Sequence, residues 1–551
     1  MKNIERLALV AVLTIAIFFR LYQLANVPPS PSVDEVSTGY NAYSILKTGK
    51  DEYGIPFPLV LRSYDDWQPA LYTYLILPFV YFFDLTVFAV RFPSVILSML
   101  SVIAVFLIMK MLFSTQVKEA QWFNVKFFAL LVTFFFAISP LHIYVSRLGL
   151  PTNTGFSFFL FAPLFFLRKN MYLSAIFFSL SFMSYHADKI FIPIFVLGLA
   201  IVYRHDLLKQ KRKVIIASIL GFILILPFLK TSFSSSSLVR FKATSTLTLS
   251  AHWEDNVQRE RFLRQAIKND DIIGVVQHSK QFFLMSVVVE SYLSHFNPAW
   301  LFMNSGNEPH KVPGFGLLHH WTAPFIVIGI ISFFTTRFPR KTKQLIFLWL
   351  LTAPVAGAIT TDAPHALRSY TMLPMWEIFT GLGIMRAYGS VKNVIGKKLF
   401  VISISCITIL SITFFYINYF TILPKVQSGS FQFPASEVMK FVLHQEKSYT
   451  KIIFSNQEQL YQSYMYFLFY SRYHPSAYLK EGGTKSGGFA QIHTIGKYEF
   501  RPINWDREDK EKNILYIGRV KDFENYLNSL RMQRQFSGLD GTPEILVVTA
   551  N

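Results

Sequence analysis

Two adjacent carboxylates, Asp34 and Glu35, lie in the run Val33-Asp34-Glu35-Val36-Ser37-Thr38, just beyond the first long apolar stretch of the chain. Charge at the edge of an apolar layer is costly and calls for a partner or a task. Two neighbouring carboxylates cannot both ionise comfortably there, so one of them suits the work of a general base. The same pair would also suit a helix N-terminus, where acidic residues cap free N–H groups. Cations recur at comparable positions further along: Arg147 in Ser139–Arg147, Lys189 after Tyr185-His186-Ala187-Asp188, His310 and Lys311, and His365 with Arg368 in Thr360–Ser369. Arginine makes forked, charge-assisted bonds to phosphate. Each cation could equally snorkel or pair with Asp188 or Asp362. A base plus phosphate-holding cations at a bilayer edge is the equipment for activating a hydroxyl and stabilising a departing lipid phosphate.

The elements that must carry these groups are membrane helices. Hydrophobic residues make up 52% of the 551 and 57 are Phe, more than a soluble chain of this length holds. Stretches near the roughly 20 residues that cross a bilayer fall at 7–25, 88–112, 127–145, 155–167, 171–185, 190–203, 214–229, 321–336, 344–360, 371–385 and 399–423. With the N-terminus inside, the short cytoplasmic loops hold Lys110, Lys118 and Lys126, then Arg168 and Lys169, the Arg204–Lys213 run, the Arg337–Lys343 run, and Arg386–Lys398. All are basic, as the positive-inside rule requires. Residues 69–83 are apolar but short, and counting them as a span would invert the charge pattern; they read as an interfacial helix. The opposite face then receives 26–87, the turns at 146–154 and 186–189, the long stretch 230–320, the turn 361–370 and the tail 424–551, and with them all the candidate residues.

In the tail, the amphipathic stretches Ser436–His444 and Glu458–Tyr470 alternate with the apolar runs Ile452–Ser455, Ile514–Ile517 and Ile545–Val548, which predicts a small, separate α/β domain. The Gly-Gly pairs at 482–483 and 487–488 mark a flexible loop and lack the strand-turn-helix frame of a phosphate cradle. The formal charge of +20 is spread over inter-span loops, not gathered on one soluble face, which argues against nucleic-acid binding. Cys406 is the single cysteine, so no intramolecular disulfide forms. The N-terminal apolar run has no small-residue cleavage site before Pro28 and reads as a retained helix.

The ordered set Asp34-Glu35, Tyr40, Leu46–Asp51, Gln68-Pro69-Ala70-Leu71-Tyr72, Arg91-Phe92-Pro93-Ser94, Ser139–Arg147, Tyr185-His186, Tyr292–Phe302 with His310 and Gly314–Gly316, and Pro364–Ser369 resembles the GT-C glycosyltransferases. It is most similar to bacterial relatives of dolichyl-phosphate-mannose protein mannosyltransferases and of the lipid A aminoarabinose transferase, over about the first 390 residues. The resemblance implies a polytopic α-helical membrane protein of GT-C type, with about eleven transmembrane helices and outer juxtamembrane helices in a catalytic domain 1–423. A C-terminal α/β extracytoplasmic domain, 424–551, would follow. It implies an inverting transfer of a sugar from a polyprenyl-phosphate donor to a protein, lipid or glycan acceptor on the outer face of a prokaryotic cell membrane. By that likeness Asp34 is the general base and Glu35 orients a substrate. Arg147, Lys189 and Arg368 hold the donor phosphate, and Tyr40, Gln68, His186, His310 and His365 are further site candidates.

Two departures stand out. Relatives often carry Lys where this chain has Gln68, which removes a phosphate contact. Many carry Glu four residues after the arginine corresponding to Arg147, where Pro151 stands here, and that glutamate resembles a metal or acceptor ligand. No cofactor is therefore assigned, although Asp34, Glu35, His310 and His365 leave a divalent metal open. Two other functions fit a membrane chain: a transporter or flippase of a lipid-linked sugar, and a scaffold presenting the tail. A transporter would show repeat halves and mid-membrane polar groups, which are not evident; a scaffold leaves Asp34, Glu35 and Arg368 without a task.

Overall fold

The computed structural model describes residues 2–64, 66–114, 122–232, 245–248, 252–303, 310–486, 488 and 492–550. Lys118, Gly487 and the stretches 233–244, 249–251 and 304–309 of the long loop lie outside the described residues. The chain divides into two compact units, the first made of residues 1–19, 97–145 and 152–413, the second of 20–96, 146–151 and 414–551.

The first unit is helical. Its helices include Val125–Ile138, followed at 58° by Pro140–Ser146, then Pro151–Leu167, Met171–Phe182, Asp188–Val202, Lys211–Ser232, Ala323–Thr335, Arg340–Thr352 and Leu373–Ser390. A helix stands at every one of the eleven stretches picked out by hydropathy. Among the described residues three are long and apolar enough to cross a membrane singly: Val87–Leu112, Lys211–Leu229 and Val394–Val426. The bent pair at 125–146 makes a fourth if taken as one span. Several of the others are shortened by turns, such as that at Arg168–Asn170, whereas Lys2–Leu21 and Leu373–Ser390 have 20 and 18 residues but are not apolar enough. Glycine sets one packing distance. A Cβ on Gly329 would fall 1.8 Å from the Phe379 carbonyl oxygen, and one on Gly383 would fall 1.8 Å from that of Phe325. The helices Ala323–Thr335 and Leu373–Ser390 therefore meet backbone to backbone, as small residues allow in apolar surroundings.

The second unit is built around the helix Val33–Thr48. Ser32 opens it with a capping box: its hydroxyl accepts from the Glu35 N–H while the Glu35 carboxylate accepts from the Ser32 N–H. Gly49 closes it at φ 71°, donating back to the Ile45 carbonyl. Residues 35–45 of this helix are all buried. Strands β1 (Val60–Ser63) and β2 (Asp66–Pro69) form an antiparallel hairpin that leads into the helix Leu71–Phe83. That helix has 13 residues, too few to span a bilayer.

The tail carries a mixed six-stranded sheet: β3 (Lys451–Phe454), β4 (His493–Ile495), β5 (Tyr498–Phe500), β6 (Ile514–Arg519), β7 (Leu530–Ser537) and β8 (Pro543–Ala550), in the order β4-β5-β3-β6-β8-β7. β3 runs parallel to both β5 and β6, and the remaining pairs are antiparallel. Helix and strand alternate as the sequence leads one to expect. The tail does not stand alone, however. Val36, Tyr40 and Tyr43 share one apolar core with Val438 and Met439 of the helix Phe433–Gln445 and with Ile452 and Phe454 of β3. The mutual burial of these apolar faces joins 20–96 to the tail, so contacts do not divide the chain at residue 423.

Candidate functional site

In the second unit the two sequence-adjacent carboxylates part company, because neighbouring residues on a helix point about 100° apart. Glu35 is wholly buried. Its Oε1 accepts from Arg91 Nε at 2.7 Å and from the Gly149 N–H at 2.8 Å, and its Oε2 accepts from the Ser32 N–H at 2.9 Å and from an Arg91 terminal nitrogen at 3.1 Å. Arg91 spends its other donors on the carbonyls of Leu24, Pro28 and Ser30. Asp34 is half-buried, and its Oδ1 accepts from Gln68 Nε2 at 3.3 Å. Gln68 lines a small cleft with Ser37, Thr38, Ser63, Thr73 and Pro151. The residue that departs from the family's lysine is thus the one that orients Asp34.

Arg147 is fully buried. Its guanidinium donates to the Val27 carbonyl at 2.8 Å and lies 5.3 and 5.0 Å from the ring centres of Tyr419 and Phe420. In this arrangement it braces the turn that begins the second unit and is not presented to a ligand. Tyr40 is likewise inside the core, its hydroxyl donating to the Tyr473 carbonyl at 3.0 Å.

A further carboxylate, Glu52, went unremarked in the sequence. It is completely buried and accepts from Asn41 Nδ2 at 3.0 Å and Thr484 Oγ1 at 2.7 Å, while the Thr484 N–H donates to the Glu52 carbonyl. Burial pushes its carboxyl up to about 7. Gly482 and Gly483, at φ 108° and 59°, shape the turn that brings Thr484 there, and a Cβ on Gly483 would lie 2.8 Å from the Glu52 carbonyl oxygen. This Gly-Gly pair is a closure on Glu52.

The first unit gathers a second set. Arg368 donates to Thr360 Oγ1 at 2.8 Å and to the Thr361 carbonyl at 2.6 Å. The rings of His310 and His365 are 5.9 Å apart. The His365 N–H donates to His295 Nε2 at 3.2 Å, and His295 Nδ1 meets the Ser291 carbonyl at 2.8 Å. Burial first, and then the nearby Arg368 charge, lower His310 to about 4 and His365 to about 3, so both rings are neutral at pH 7. Arg368, His310 and His365 are all half-buried. His186 is half-buried in the turn before the helix Asp188–Val202, and its carbonyl accepts from the N–H of Lys189, half-buried in the first turn of that helix. Asp188 is buried and accepts from Ser181 at 3.1 Å. Gly155 makes room for it, since a Cβ there would lie 2.1 Å from Asp188 Oδ2. Among the described residues no three His, Cys, Asp or Glu side chains gather as they would around a metal ion.

No protein-family model and no curated protein matches the sequence. Solved structures do. ArnT from Cupriavidus metallidurans bound to undecaprenyl phosphate superposes with a TM-score of 0.56 at 8% identity, covering 99% of this chain and 98% of that one. The same protein in the apo state gives 0.54 at 10% identity with the same coverage. The archaeal oligosaccharyltransferase AglB from Archaeoglobus fulgidus, in complex with an inhibitory peptide and a dolichol-phosphate, gives 0.50 at 12%, covering 95% of this chain and 70% of AglB. The chain thus shares its fold with ArnT and AglB, which are GT-C membrane glycosyltransferases. Of the residues picked from the sequence, Asp34, Gln68, His186, Lys189, His310, His365 and Arg368 are half-buried, whereas Glu35, Arg147 and Tyr40 are fully buried.

Proposed function

We propose that this chain is a membrane glycosyltransferase that moves a sugar, with inversion, from a polyprenyl-phosphate donor to an acceptor hydroxyl on the outer face of a membrane. The observation that carries the reading is the end-to-end likeness to ArnT, a GT-C protein solved with undecaprenyl phosphate bound, in a chain that keeps Asp34 half-buried and oriented by Gln68. Asp34 takes the proton from the acceptor hydroxyl as its oxygen attacks the anomeric carbon. The bond from that carbon to the phosphate oxygen breaks, and the phosphate departs with the electron pair. By the family likeness the departing phosphate falls to cations of the first unit, Arg368 and Lys189, with the neutral rings of His310 and His365 close to Arg368. Glu35 is a positioning residue that fixes the first turn bearing Asp34.

The eleven helical stretches are read as spans, several of them broken, with the basic loops in the cytoplasm. The helix Leu71–Phe83 lies along the outer interface, with the exposed Tyr81 and Phe82 toward lipid. The test is transfer from labelled polyprenyl-phosphate sugars to a panel of lipid, protein and glycan acceptors by the purified, reconstituted protein. Wild type transfers and Asp34→Asn binds donor without transferring. Donor moved across the bilayer with no transfer by either form would make the chain a flippase instead.

A further inference from the structure

The first unit holds an apolar cavity lined by none of the residues assigned above. It is an apolar groove of about 400 Å³, within the roughly 300–1,000 Å³ of ordinary ligand sites. Three helices wall it: Met171–Phe182, Asp188–Val202 and Lys211–Ser232. Three serines are its only polar side chains, and two of them are engaged, Ser174 with the Ala162 carbonyl and Ser179 with those of Ala175 and Gly221. The groove therefore offers hydrocarbon contact and almost no hydrogen bonding.

One end of it is strongly basic. Phe166 and Met171 line the groove and bracket the turn with Arg168 and Lys169; Leu207 and Val214 line it and bracket Lys209 and the run Lys211-Arg212-Lys213. These cations are exposed. The single acid in these two turns, Asp206, pairs with Lys341, and Lys209 and Lys169 also lie close enough to hold its carboxyl below the usual range. Two turns about forty residues apart thus direct excess positive charge to one mouth. From Val214 to Ile225, both lining residues, the groove follows eleven helical steps, about 16 Å. The hydrocarbon of one leaflet is about 15 Å deep.

We propose that this groove binds an anionic phospholipid of the leaflet facing the basic loops, an acyl chain in the groove and the headgroup phosphate on Lys169, Lys209 and the Lys211–Lys213 run. An apolar slot one leaflet deep selects a lipid over a soluble anion, and the excess of cations at its mouth selects an anionic headgroup over a zwitterionic one. The inference rests on the membrane setting of the proposed function and not on its chemistry.

The test uses the full chain in phosphatidylcholine nanodiscs doped with phosphatidylglycerol, with protein-bound lipid read by native mass spectrometry after detergent extraction. Wild type retains phosphatidylglycerol in preference to phosphatidylcholine. Each cation at an anionic lipid contributes roughly fivefold, so Lys169→Gln/Lys209→Gln lowers that preference on the order of 25-fold. Ala200→Phe fills the groove, leaves every charge in place, and also lowers retention. Equal retention of the two lipids, full displacement of phosphatidylglycerol by inorganic phosphate, or its one-for-one replacement by polyprenyl phosphate overturns the proposal. Selective retention without glycosyl transfer leaves this site standing and removes the proposed function; transfer without selective retention does the reverse.

Discussion

Glu35 and Arg91, 56 residues apart, form a two-point ion pair with both side chains sealed from solvent, Nε to Oε1 at 2.7 Å and a terminal nitrogen to Oε2 at 3.1 Å. Removing one partner leaves a buried charge uncompensated, which costs about 3–5 kcal/mol. Glu35→Ala and Arg91→Met should each lower the unfolding temperature of the purified protein sharply. An apolar replacement of both, Glu35→Leu/Arg91→Met, should not restore it. Arg91 also satisfies the carbonyls of Leu24, Pro28 and Ser30, and Glu35 accepts from Gly149. Those groups would be left buried and unpaired. Thermal scans of the three variants in one detergent check this.

Asp34 should behave in the opposite way. It is half-buried, and Asn keeps its size and the acceptor oxygen that Gln68 meets, so Asp34→Asn should unfold within a degree or two of wild type. Transfer should fall by about 10²–10⁴, the range for loss of a general base. Gln68→Ala removes the amide that orients Asp34 Oδ1 at 3.3 Å. It should lower the turnover number by about tenfold, the scale of one modest hydrogen bond, with donor affinity unchanged. An equal loss in donor affinity would mean that Gln68 touches the donor and not the base.

The sequence revealed the helical stretches because apolar length is a local signal, and it revealed β3, β6 and β8 because each is a short apolar run. It did not reveal β7, whose middle residues are all exposed, or the three-residue strands β4 and β5. Asp34 and Glu35 were legible as a pair but not as two different jobs, since that depends on Arg91 and Gly149 arriving from elsewhere in the chain. Arg91 had a readable sign, an arginine at the outer start of a span, the reasoning that singled out Arg147. Glu52 had none: its partner Thr484 is 432 residues away. A domain border at 423 looked natural because composition changes there, yet the tail needs Val36, Tyr40 and Tyr43 to complete its core.

His310 and His365 give the first unit an acid-sensitive point. Burial, reinforced by Arg368, holds them at about 4 and about 3, against an ordinary histidine near 6.5. Between pH 6.5 and about 4 the unfolded chain therefore binds more protons than the folded one, and stability falls as pH falls through that window. Arg368→Gln removes a positive neighbour, so both rings should titrate closer to 6.5 and the acid limb should become shallower. A bound phosphate acts in the same direction. Unfolding temperature against pH from 7.5 to 4.5, for wild type, Arg368→Gln and His365→Gln, reads this directly. An unaltered acid limb in both variants would show that other groups govern it.

Glu52 makes the second unit sensitive in the opposite direction. Its carboxyl is pushed up to about 7 by burial, against about 4.3 in an unfolded chain. The folded state thus holds a proton that the unfolded state releases, and stability that is fully present below pH 4.3 is lost as pH rises through 7. Glu52→Gln keeps an acceptor for Asn41 Nδ2 and can still meet Thr484 through its amide, while removing the titration. It should therefore unfold at a higher temperature than wild type above pH 7 and lose the alkaline slope. Glu52→Ala, by contrast, should be less stable at every pH, because Asn41 and Thr484 lose a buried partner. A Glu52→Gln protein with wild-type slope above pH 7 would mean that Glu52 is ionised in the fold, its charge met by the hydrogen bonds of Asn41 and Thr484.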